Sequence, residues 1–264
     1  MYLGLEKLNI FPVDLIRFGK LMKVLIMVGG KGTRLRPYTN NIPKALLPIG
    51  DRPILEIILY QLKSAGVEEV TLAVGHLSQL FEAFFQDGSR LGLKINYLYE
   101  EKALGTAGPI AFGIDSLGED FIVMNGDVLT TLDYKKMFDY HKKENSAATI
   151  ATYRREVKLD FGVIKSNSKG KLESYKEKPK LLFDFGMGVN IVNAKTVTPY
   201  LKKGEYLDIP DLMIKLVENN HSVSCYNEKC FWLDMGRPED YDKANEAFEK
   251  KKKDFLPNVF DKKL

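Results

Sequence analysis

A glycine-rich turn with two nearby cations is the first feature of the sequence that could do chemistry. The segment Gly29-Gly30-Lys31-Gly32-Thr33-Arg34-Leu35 follows an apolar run, and Lys44 follows in Pro43-Lys44. Glycines allow main-chain N–H groups to approach an anion closely, while arginine and lysine supply a planar fork and a point charge for phosphate oxygens. The turn therefore predicts a polyphosphate site.

Two common phosphate-binding motifs are excluded by the letters of this turn. A Gly-x-Gly-x-x-Gly motif that starts at Gly30 and Gly32 would need a third glycine where Leu35 stands, and the sequence contains no Gly-x-x-x-x-Gly-Lys-Ser/Thr. On this motif alone, a tight surface turn with solvated charges stays an open alternative.

Two aspartates stand where predicted strands end. Asp127 follows an apolar strand in Asn125-Gly126-Asp127, and Asp234 follows the aromatic pair Phe231-Trp232. Ligands of open α/β sheets bind beyond the carboxyl ends of the strands. Two carboxylates that converge there can hold Mg²⁺ together with phosphate oxygens. For either aspartate alone, a helix or turn cap is the alternative.

Two further groups of residues suit a phosphorylated sugar and its nucleotide. Glu177-Lys178-Pro179, preceded by Phe161-Gly162-Val163, places an acid beside a base. Such a pair usually lies on the surface, but sugar hydroxyls require an acceptor and a sugar phosphate requires a cation. The pair Glu100-Glu101 precedes Leu104-Gly105-Thr106-Ala107-Gly108, which again has the pattern of strand, glycine turn and helix start.

The elements that position these motifs alternate between strand and helix signals, which is typical of an α/β fold. The apolar run at 23–28 predicts a strand buried on both faces, and Pro53 opens a helix that ends at Gly66. We predict further strands at 70–74, 94–99, 121–124, 147–153 and 188–192, a hairpin at 164–175, and helices at 79–86, 106–117, 134–145, 208–219 and 238–252. The predicted fold is Rossmann-like, with a central mixed, mainly parallel sheet flanked by helices.

Composition excludes several classes of protein. With 45% hydrophobic and 28% charged residues, the chain of 264 residues has a globular composition rather than a disordered one. A net charge of +4, with basic residues spread along the chain, predicts no nucleic-acid partner, and the apolar runs are too short to cross a membrane. Two cysteines fit a reducing compartment, so we expect a cytoplasmic location. The spacing of His221, Cys225 and Cys230 does not fit a zinc site, and no Gly-x-Ser-x-Gly indicates a hydrolase.

Six motifs taken together resemble those of the sugar-1-phosphate nucleotidylyltransferase family. They occur in the family's order as Gly29-Gly30-Lys31-Gly32-Thr33-Arg34-Leu35-Arg36-Pro37 with Pro43-Lys44, Leu104-Gly105-Thr106-Ala107-Gly108, Asn125-Gly126-Asp127, Phe161-Gly162-Val163, Glu177-Lys178-Pro179 and Trp232-Leu233-Asp234-Met235-Gly236. We therefore predict a nucleotidyltransferase domain at 22–248, with a nucleotide half (about 22–155) and a sugar half (about 156–248). Residues 1–21 are expected to be an N-terminal extension or linker, and 249–264 a basic C-terminal tail.

The resemblance implies a Mg²⁺-dependent reaction in which a nucleoside triphosphate and a sugar 1-phosphate give an NDP-sugar and pyrophosphate. It implies catalytic roles for Arg34 and Lys44 on the triphosphate and for Lys178 on the sugar phosphate, and a metal site at Asp127 and Asp234. The nucleotide-binding residues that it implies are Gly29, Gly30, Gly32, Thr33, Gly105 and Thr106, and Glu101 is added to them as the predicted acceptor for the base. The sugar-binding residues are Gly126, Gly162, Glu177 and Asn190. We also expect a homo-oligomer, a dimer or higher.

Within the family, the motifs look most like those of mannose-1-phosphate guanylyltransferases. Guanine presents two adjacent donors, and a carboxylate such as Glu101 or Glu100 accepts from both. We therefore predict GTP with mannose 1-phosphate or a related sugar. Three alternatives stay open: a uridylyl- or thymidylyltransferase for glucose 1-phosphate, a catalytically inactive regulatory homologue, and a cytidylyltransferase for a lipid-type phosphorylated alcohol. The segment Gly186-Met187-Gly188-Val189-Asn190 departs from the family's Asn-Ala-Gly pattern, so the usual sugar cannot be assumed.

Overall fold

The computed structural model describes residues 22–257, and the predicted extension at 1–21 lies outside them. The strands are β1 (Lys23–Met27), β2 (Pro48–Ile49), β3 (Arg52–Pro53), β4 (Glu69–Val74), β5 (Lys94–Tyr99), β6 (Asp120–Asn125), β7 (Val128–Thr130), β8 (Ala148–Lys158), β9 (Val163–Ser166), β10 (Leu172–Lys176), β11 (Lys180–Asn193), β12 (Val223–Asn227) and β13 (Trp232–Asp234). The α-helices are α1 (Ile54–Ser64), α2 (Ser78–Phe85), α3 (Ile110–Leu117), α4 (Tyr134–Glu144), α5 (Ala194–Val197), α6 (Ile209–Glu218), α7 (Pro238–Lys250) and α8 (Lys252–Phe255). Within 22–257, no helix has the length and apolar character needed to cross a membrane.

The central sheet has seven strands in the order β12-β8-β11-β6-β1-β4-β5. The pairs β6–β1, β1–β4, β4–β5 and β8–β12 are parallel, whereas β11 runs antiparallel to both of its neighbours, β6 and β8. The prediction of a mixed, mainly parallel sheet is therefore confirmed. Strand β11 joins the part of the sheet built by the first half of the chain to the part built by the second half.

Helices cover both faces of this sheet, which explains the continuous apolar sequence of β1. Val24 and Ile26 face a core shared with α1 and α7, and Leu25 faces a second core shared with α3 and α6. All three side chains are fully buried. A strand that is buried on both faces needs apolar residues at successive positions rather than at alternate ones.

The structure corrects the predicted start of α3 and the predicted lengths of two strands. The helix expected from 106 begins at Ile110, because the amides of Ala107 and Gly108 both donate to the carbonyl of Leu207 instead of entering a helix. Strands β8 and β11 extend beyond 147–153 and 188–192, and together they form an antiparallel ribbon that leads to the β9–β10 hairpin. Most side chains of this ribbon and hairpin are exposed, so the ribbon lacks the apolar pattern of a buried strand.

The chain beyond 248 also differs from the predicted basic tail. Phe255 and Leu256 are buried, and the Phe255 ring lies 5.4 Å from the ring of Phe231 and 5.9 Å from that of Phe248. The run of lysines at 250–253 suggested a solvated tail, but the two apolar residues that follow it, Phe255 and Leu256, are buried. Residues 249–257 therefore pack on the domain, and 258–264 lie outside the described residues.

Candidate active site

A cavity of about 390 Å³ opens beyond the carboxyl ends of β1, β5 and β6. This is the edge at which open α/β sheets bind ligands, and the volume is in the usual range for a small-molecule site. Its lining consists of Met27, Val28, Gly29, Gly30, Gly32, Arg34, Lys44, Ala45, Glu100, Ala103, Leu104, Gly105, Thr106, Asn125, Asp127, Tyr206 and Asp208. The structure thus brings together most of the predicted nucleotide residues.

The glycines of the first turn are needed where other chain segments approach it closely. A Cβ on Gly29 would lie 2.9 Å from Oε2 of Glu100, so the turn passes directly against the end of β5. Gly32 has a φ of +59°, and its carbonyl accepts a hydrogen bond of 2.8 Å from the Thr39 hydroxyl. Thr33 lies in the short 3₁₀ turn that follows; it is exposed and outside the cavity lining.

Gly126 determines how close the turn after β6 comes to the turn after β1. A Cβ on Gly126 would lie 2.4 Å from Cγ1 of Val28, and the Gly126 amide donates to the Met27 carbonyl at 3.0 Å. Gly126 is buried and does not line the cavity, so its contacts here are with protein. This packing positions Asp127 at the edge of the cavity.

Two cations and two carboxylates meet at this edge. The Lys44 ammonium contacts Oδ2 of Asp127 and lies 3.9 Å from Oδ1 of Asp234, and the Lys44 side chain is only 13% exposed. Strand β13 pairs with β7 so that Asp234 stands opposite Val128, which brings it beside Asp127. Arg34 approaches the same turn, with Nη1 3.8 Å from the position of a Cβ on Gly236.

The electrostatics of the two carboxylates fit a divalent cation. Oδ1 of Asp127 is buried and has no hydrogen-bond partner, which is costly for a carboxylate oxygen. Partial burial and the neighbouring charge of Asp127 raise the pKa of Asp234, although Lys44 and Arg34 act in the opposite direction. Mg²⁺ is typically held by one or two carboxylates and completes its coordination with phosphates and water. Among residues 22–257, no three His, Cys, Asp or Glu side chains form a cluster that could hold a metal ion.

The two glutamates after β5 occupy different environments. Glu100 lines the cavity and is half-buried, and this burial raises the pKa of its carboxyl to about 7. Glu101, which the sequence analysis assigned to the base, is exposed and outside the lining. The structure thus places the carboxylate that faces the cavity one residue earlier in the chain.

Asp208 and Tyr206 belong to the cavity although the sequence analysis did not select them. Oδ1 of Asp208 accepts from the amide of Thr106 at 2.9 Å and from its hydroxyl at 3.1 Å. The hydroxyl of Tyr206 donates to Oδ2 at 2.7 Å, which lowers the pKa of Asp208. A Cβ on Gly105 would lie 2.5 Å from the Leu207 carbonyl, so this glycine lets the two loops touch. An aspartate at the start of the predicted helix at 208–219 was the available signal.

The predicted sugar residues lie outside the cavity lining. Glu177 accepts a hydrogen bond of 3.0 Å from the Tyr175 hydroxyl, and a Cβ on Gly162 would lie 2.9 Å from Oε2 of Glu177. Lys178 is exposed and has a φ of +43°, a conformation that is uncommon outside glycine and concentrates at functional sites. Asn190 is buried in β11, where it pairs with β6 and β8. The structure brings Gly162 and Glu177 together but does not bring either of them to the cavity lining.

A mixed α/β sheet with a glycine turn, two cations and two carboxylates at its carboxyl edge is the arrangement of a protein that binds phosphorylated ligands. The chain belongs to the nucleotidyl transferase family, whose model matches residues 23–251. The resemblance predicted from the six motifs is thereby confirmed.

The relatives include proteins named for different nucleotides. The chain is 32% identical over 243 residues to a UTP–glucose-1-phosphate uridylyltransferase of Synechocystis, covering 83% of this chain and 61% of that protein. It is 34% identical over 234 residues to mannose-1-phosphate guanylyltransferase 1 of Arabidopsis thaliana, covering 83% and 63%. The chain thus spans less than two thirds of the length of these relatives. Among solved structures, HddC of Yersinia pseudotuberculosis complexed with GMP-PN is similar with a TM-score of 0.68 and 25% identity, covering 86% of this chain and 100% of that one.

Proposed function

We propose that the protein joins a nucleoside triphosphate to a sugar 1-phosphate and releases pyrophosphate, with GTP and mannose 1-phosphate or a related sugar as its substrates. The observation that carries this proposal is the group of Arg34, Lys44, Asp127 and Asp234 at the edge of the cavity. Two cations and a carboxylate pair with an unpartnered oxygen match the needs of a triphosphate and its metal ion.

The reaction needs positioning and charge neutralisation rather than a general base. An oxygen of the sugar phosphate, which is already an anion, attacks the α-phosphorus of the triphosphate, and the bond between that phosphorus and the bridging oxygen breaks as pyrophosphate leaves. Lys44 and Arg34 neutralise charge on the triphosphate, and Lys178 would hold the sugar phosphate for attack. Such preorganised charges account for most of the catalysis of phosphoryl transfer.

Mg²⁺ would be held by Asp127 and Asp234, and when bound it would neutralise charge on the phosphates. The unpartnered, buried oxygen of Asp127 supports this assignment. The exposed hairpin with Glu177 and Lys178 is the part proposed to bind the sugar phosphate, and the unusual φ of Lys178 supports a functional role for that turn.

Guanine is the base that we propose, with Glu100 as its acceptor in place of Glu101. Glu100 lines the cavity beside Gly29, and a carboxylate accepts from both N1–H and N2–H of guanine. The name of the Arabidopsis relative and the GMP-PN complex of HddC support the same choice. The uridylyltransferase of Synechocystis, at a similar identity, supports UTP with glucose 1-phosphate as the second candidate.

A grid of five nucleoside triphosphates against several sugar 1-phosphates, read by pyrophosphate release, tests the proposal. We expect the highest kcat/KM for GTP with mannose 1-phosphate or a close epimer. A maximum for UTP with glucose 1-phosphate would select the second candidate, and release in no combination would favour a catalytically inactive homologue.

We also propose a homo-oligomer in the cytoplasm. The location is supported by Cys225 and Cys230, which are free thiols and so fit a reducing compartment.

The oligomer is supported by large apolar side chains that are exposed on the ribbon and hairpin, among them Phe161, Leu172 and Leu182, since such surfaces commonly mark contacts between proteins. Light scattering coupled to size exclusion would test the oligomer, and a monomer at micromolar concentration would contradict it.

A further inference from the structure

We propose that the Lys44 ammonium occupies the position of the divalent cation before ligands bind, and that a metal ion and a triphosphate bind together because they displace this ammonium together. The inference rests on the proposed function for the metal and the triphosphate. A metal ion alone should therefore bind only weakly to the free protein, and tightly only when a triphosphate is also bound.

The position of the Lys44 ammonium carries the inference. The ammonium contacts Oδ2 of Asp127 and lies 3.9 Å from Oδ1 of Asp234, so it lies near both proposed metal ligands at once. The Lys44 side chain is 13% exposed, and the lysine follows the buried Pro43 in a short 3₁₀ turn that holds its backbone. In the free protein, the ammonium therefore supplies the positive charge that a metal ion would supply in the loaded one.

The two carboxylates need such a cation. The ammonium of Lys44 lies within 4 Å of both Asp127 and Asp234, so the two carboxylates stand close together with this cation between them. The Lys44–Asp127 contact satisfies only one oxygen of Asp127, because Oδ1 has no partner. Lys44 thus offsets only one of the two negative charges and leaves one oxygen of Asp127 without a partner, so a divalent cation with more coordination positions fits the pair better.

A metal ion that enters alone must remove Lys44 from its carboxylates and leave a largely buried ammonium without an anion, which is unfavourable. A triphosphate changes this balance because Lys44 lines the same cavity as the glycine turn and Arg34. The phosphate oxygens of the triphosphate offer new hydrogen-bond partners to the displaced Lys44 ammonium when the metal ion binds the two carboxylates. Metal and nucleotide should therefore increase each other's affinity, and by linkage the factor is the same in both directions.

Binding of Mn²⁺, measured by water-proton relaxation with and without GTP and in the absence of sugar phosphate, tests the inference. For the wild type we expect weak binding of Mn²⁺ alone and at least about tenfold tighter binding to the protein–GTP complex, a factor within the usual range of coupling between sites. In Lys44→Gln, Mn²⁺ alone should bind at least about tenfold tighter than in the wild type, and GTP should enhance it less.

Two control variants separate this effect from a general loss of charge. Lys44→Arg keeps the cation and should keep the weak binding of Mn²⁺ alone. Lys142→Gln removes a lysine from another buried aspartate, Asp120, which lies outside the cavity lining at the other end of β6, and should bind Mn²⁺ as the wild type does. Tighter binding of Mn²⁺ alone to Lys142→Gln would overturn the inference.

The outcomes distinguish this inference from the proposed function. If the wild type binds no Mn²⁺ even with GTP, the proposed metal site fails and the inference fails with it. If the wild type binds Mn²⁺ with GTP but Lys44→Gln binds Mn²⁺ alone no tighter, only the inference is overturned. If Lys44→Gln does not fold, the wild type still decides, because equal affinity for Mn²⁺ with and without inorganic triphosphate contradicts the displacement of Lys44.

Discussion

Two aspartates flank strand β6, one at its first residue and one just after its last residue, and each aspartate pairs with a lysine. Asp120 at the start of the strand contacts Lys142, and Asp127 just after its end contacts Lys44. Both pairs lie in concave parts of the surface: one in the 390 Å³ cavity, the other in a polar cavity of about 240 Å³.

The two pairs differ in what else the carboxylate binds. Asp120 accepts from Asn193 at 2.7 Å and lies 3.3 Å from Nε2 of His141, in addition to the Lys142 contact. Burial opposes ionisation of Asp120, but these hydrogen bonds outweigh it and lower its pKa. Both oxygens of Asp120 are thus held within the fold, whereas Asp127 keeps one buried oxygen without a partner.

Asp127→Asn should have the largest effect on activity, because the amide keeps the volume but loses the charge that would bind metal. We expect turnover to fall about 10²–10³-fold, the usual loss when a preorganised charge is removed from a transition state. Asp120→Asn is the matched variant at the other end of β6. It should keep turnover within about twofold and lose about 1–3 kcal/mol of unfolding free energy instead.

Steady-state kinetics at saturating Mg²⁺ and urea unfolding of both variants provide the measurements. The loss of unfolding free energy in Asp120→Asn should shrink as the pH falls. The pKa of Asp120 is lowered in the folded chain, so its carboxylate stabilises the fold above the ordinary value of 3.8, and this contribution is lost when the folded carboxyl protonates. Equal losses of turnover in the two variants would remove the distinction between the two ends of the strand.

Lys178→Ala extends the comparison from the cavity to the exposed hairpin. If Lys178 holds the sugar phosphate, we expect kcat/KM for the sugar phosphate to fall about 30- to 300-fold, because a charge-assisted contact to phosphate is lost. The KM for the triphosphate should change little. Lys176→Ala, an exposed lysine on the same hairpin, is the control and should behave as the wild type. Unchanged kinetics of Lys178→Ala would exclude it from the site.

Glu100→Gln should change both base preference and stability. The ratio of kcat/KM for GTP over UTP should fall about tenfold, because an amide cannot accept from both guanine donors. Glu101→Gln, outside the cavity, should leave the ratio unchanged. If only Glu101→Gln lowers this ratio, Glu101 rather than Glu100 is the residue that accepts from the base.

The stability effect of Glu100→Gln depends on pH. The folded chain keeps Glu100 protonated up to about pH 7, whereas the ordinary carboxyl titrates near 4.5. The folded state therefore binds more protons between these values, and the contribution of Glu100 to stability falls as the pH rises through that interval. Removing the ionisable group should raise Tm at pH 8 more than at pH 5. Equal shifts at both pH values would contradict burial as the cause of the raised pKa.

Tyr206→Phe should give the smallest effect, because it removes one of the hydrogen bonds to Asp208 and leaves the Thr106 contacts in place. We expect the KM for the triphosphate to rise about two- to fivefold, in line with one neutral-to-charged hydrogen bond at an exposed position. Asp208→Ala, which releases Thr106 as well, should raise it further. If both variants have the same KM, Asp208 does not position the 104–106 turn.

The buried half of the molecule could be predicted from sequence better than the exposed half. The run at 23–28 and the helix from Ile54 were identifiable because apolar residues at buried positions follow the period of their element. The outer parts of β8 and β11, at 154–158 and 180–186, have no such period, since they are largely exposed. Their length depends on strand pairing, which a local pattern does not encode.

The same reasoning explains which site residues could be predicted. Gly29 and Asp127 could be predicted from residue type just after the end of a strand, and Lys44 from its place after Pro43 in the loop that follows the glycine turn. Asp208 could not, because its partner Thr106 is distant in sequence and meets it only in the folded chain. Sequence alone could not decide between Glu100 and Glu101, because the two residues are identical in type and differ only in which of them faces the cavity at the end of β5.

Strand β11 runs from the exposed ribbon into the central sheet beside the cavity. It is exposed from Leu182 to Gly186 and buried from Val189 to Val192, where it pairs with β6. Its register against β8 shifts between Gly186 and Asn190, and within that interval Gly188, at φ +74°, lies so close to Asn125 that a Cβ would be 2.9 Å from the Asn125 amide nitrogen. Asn125 lines the 390 Å³ cavity. A single continuous strand therefore connects the exposed hairpin to a residue of the cavity wall, and a side chain larger than hydrogen at position 188 would collide with that wall.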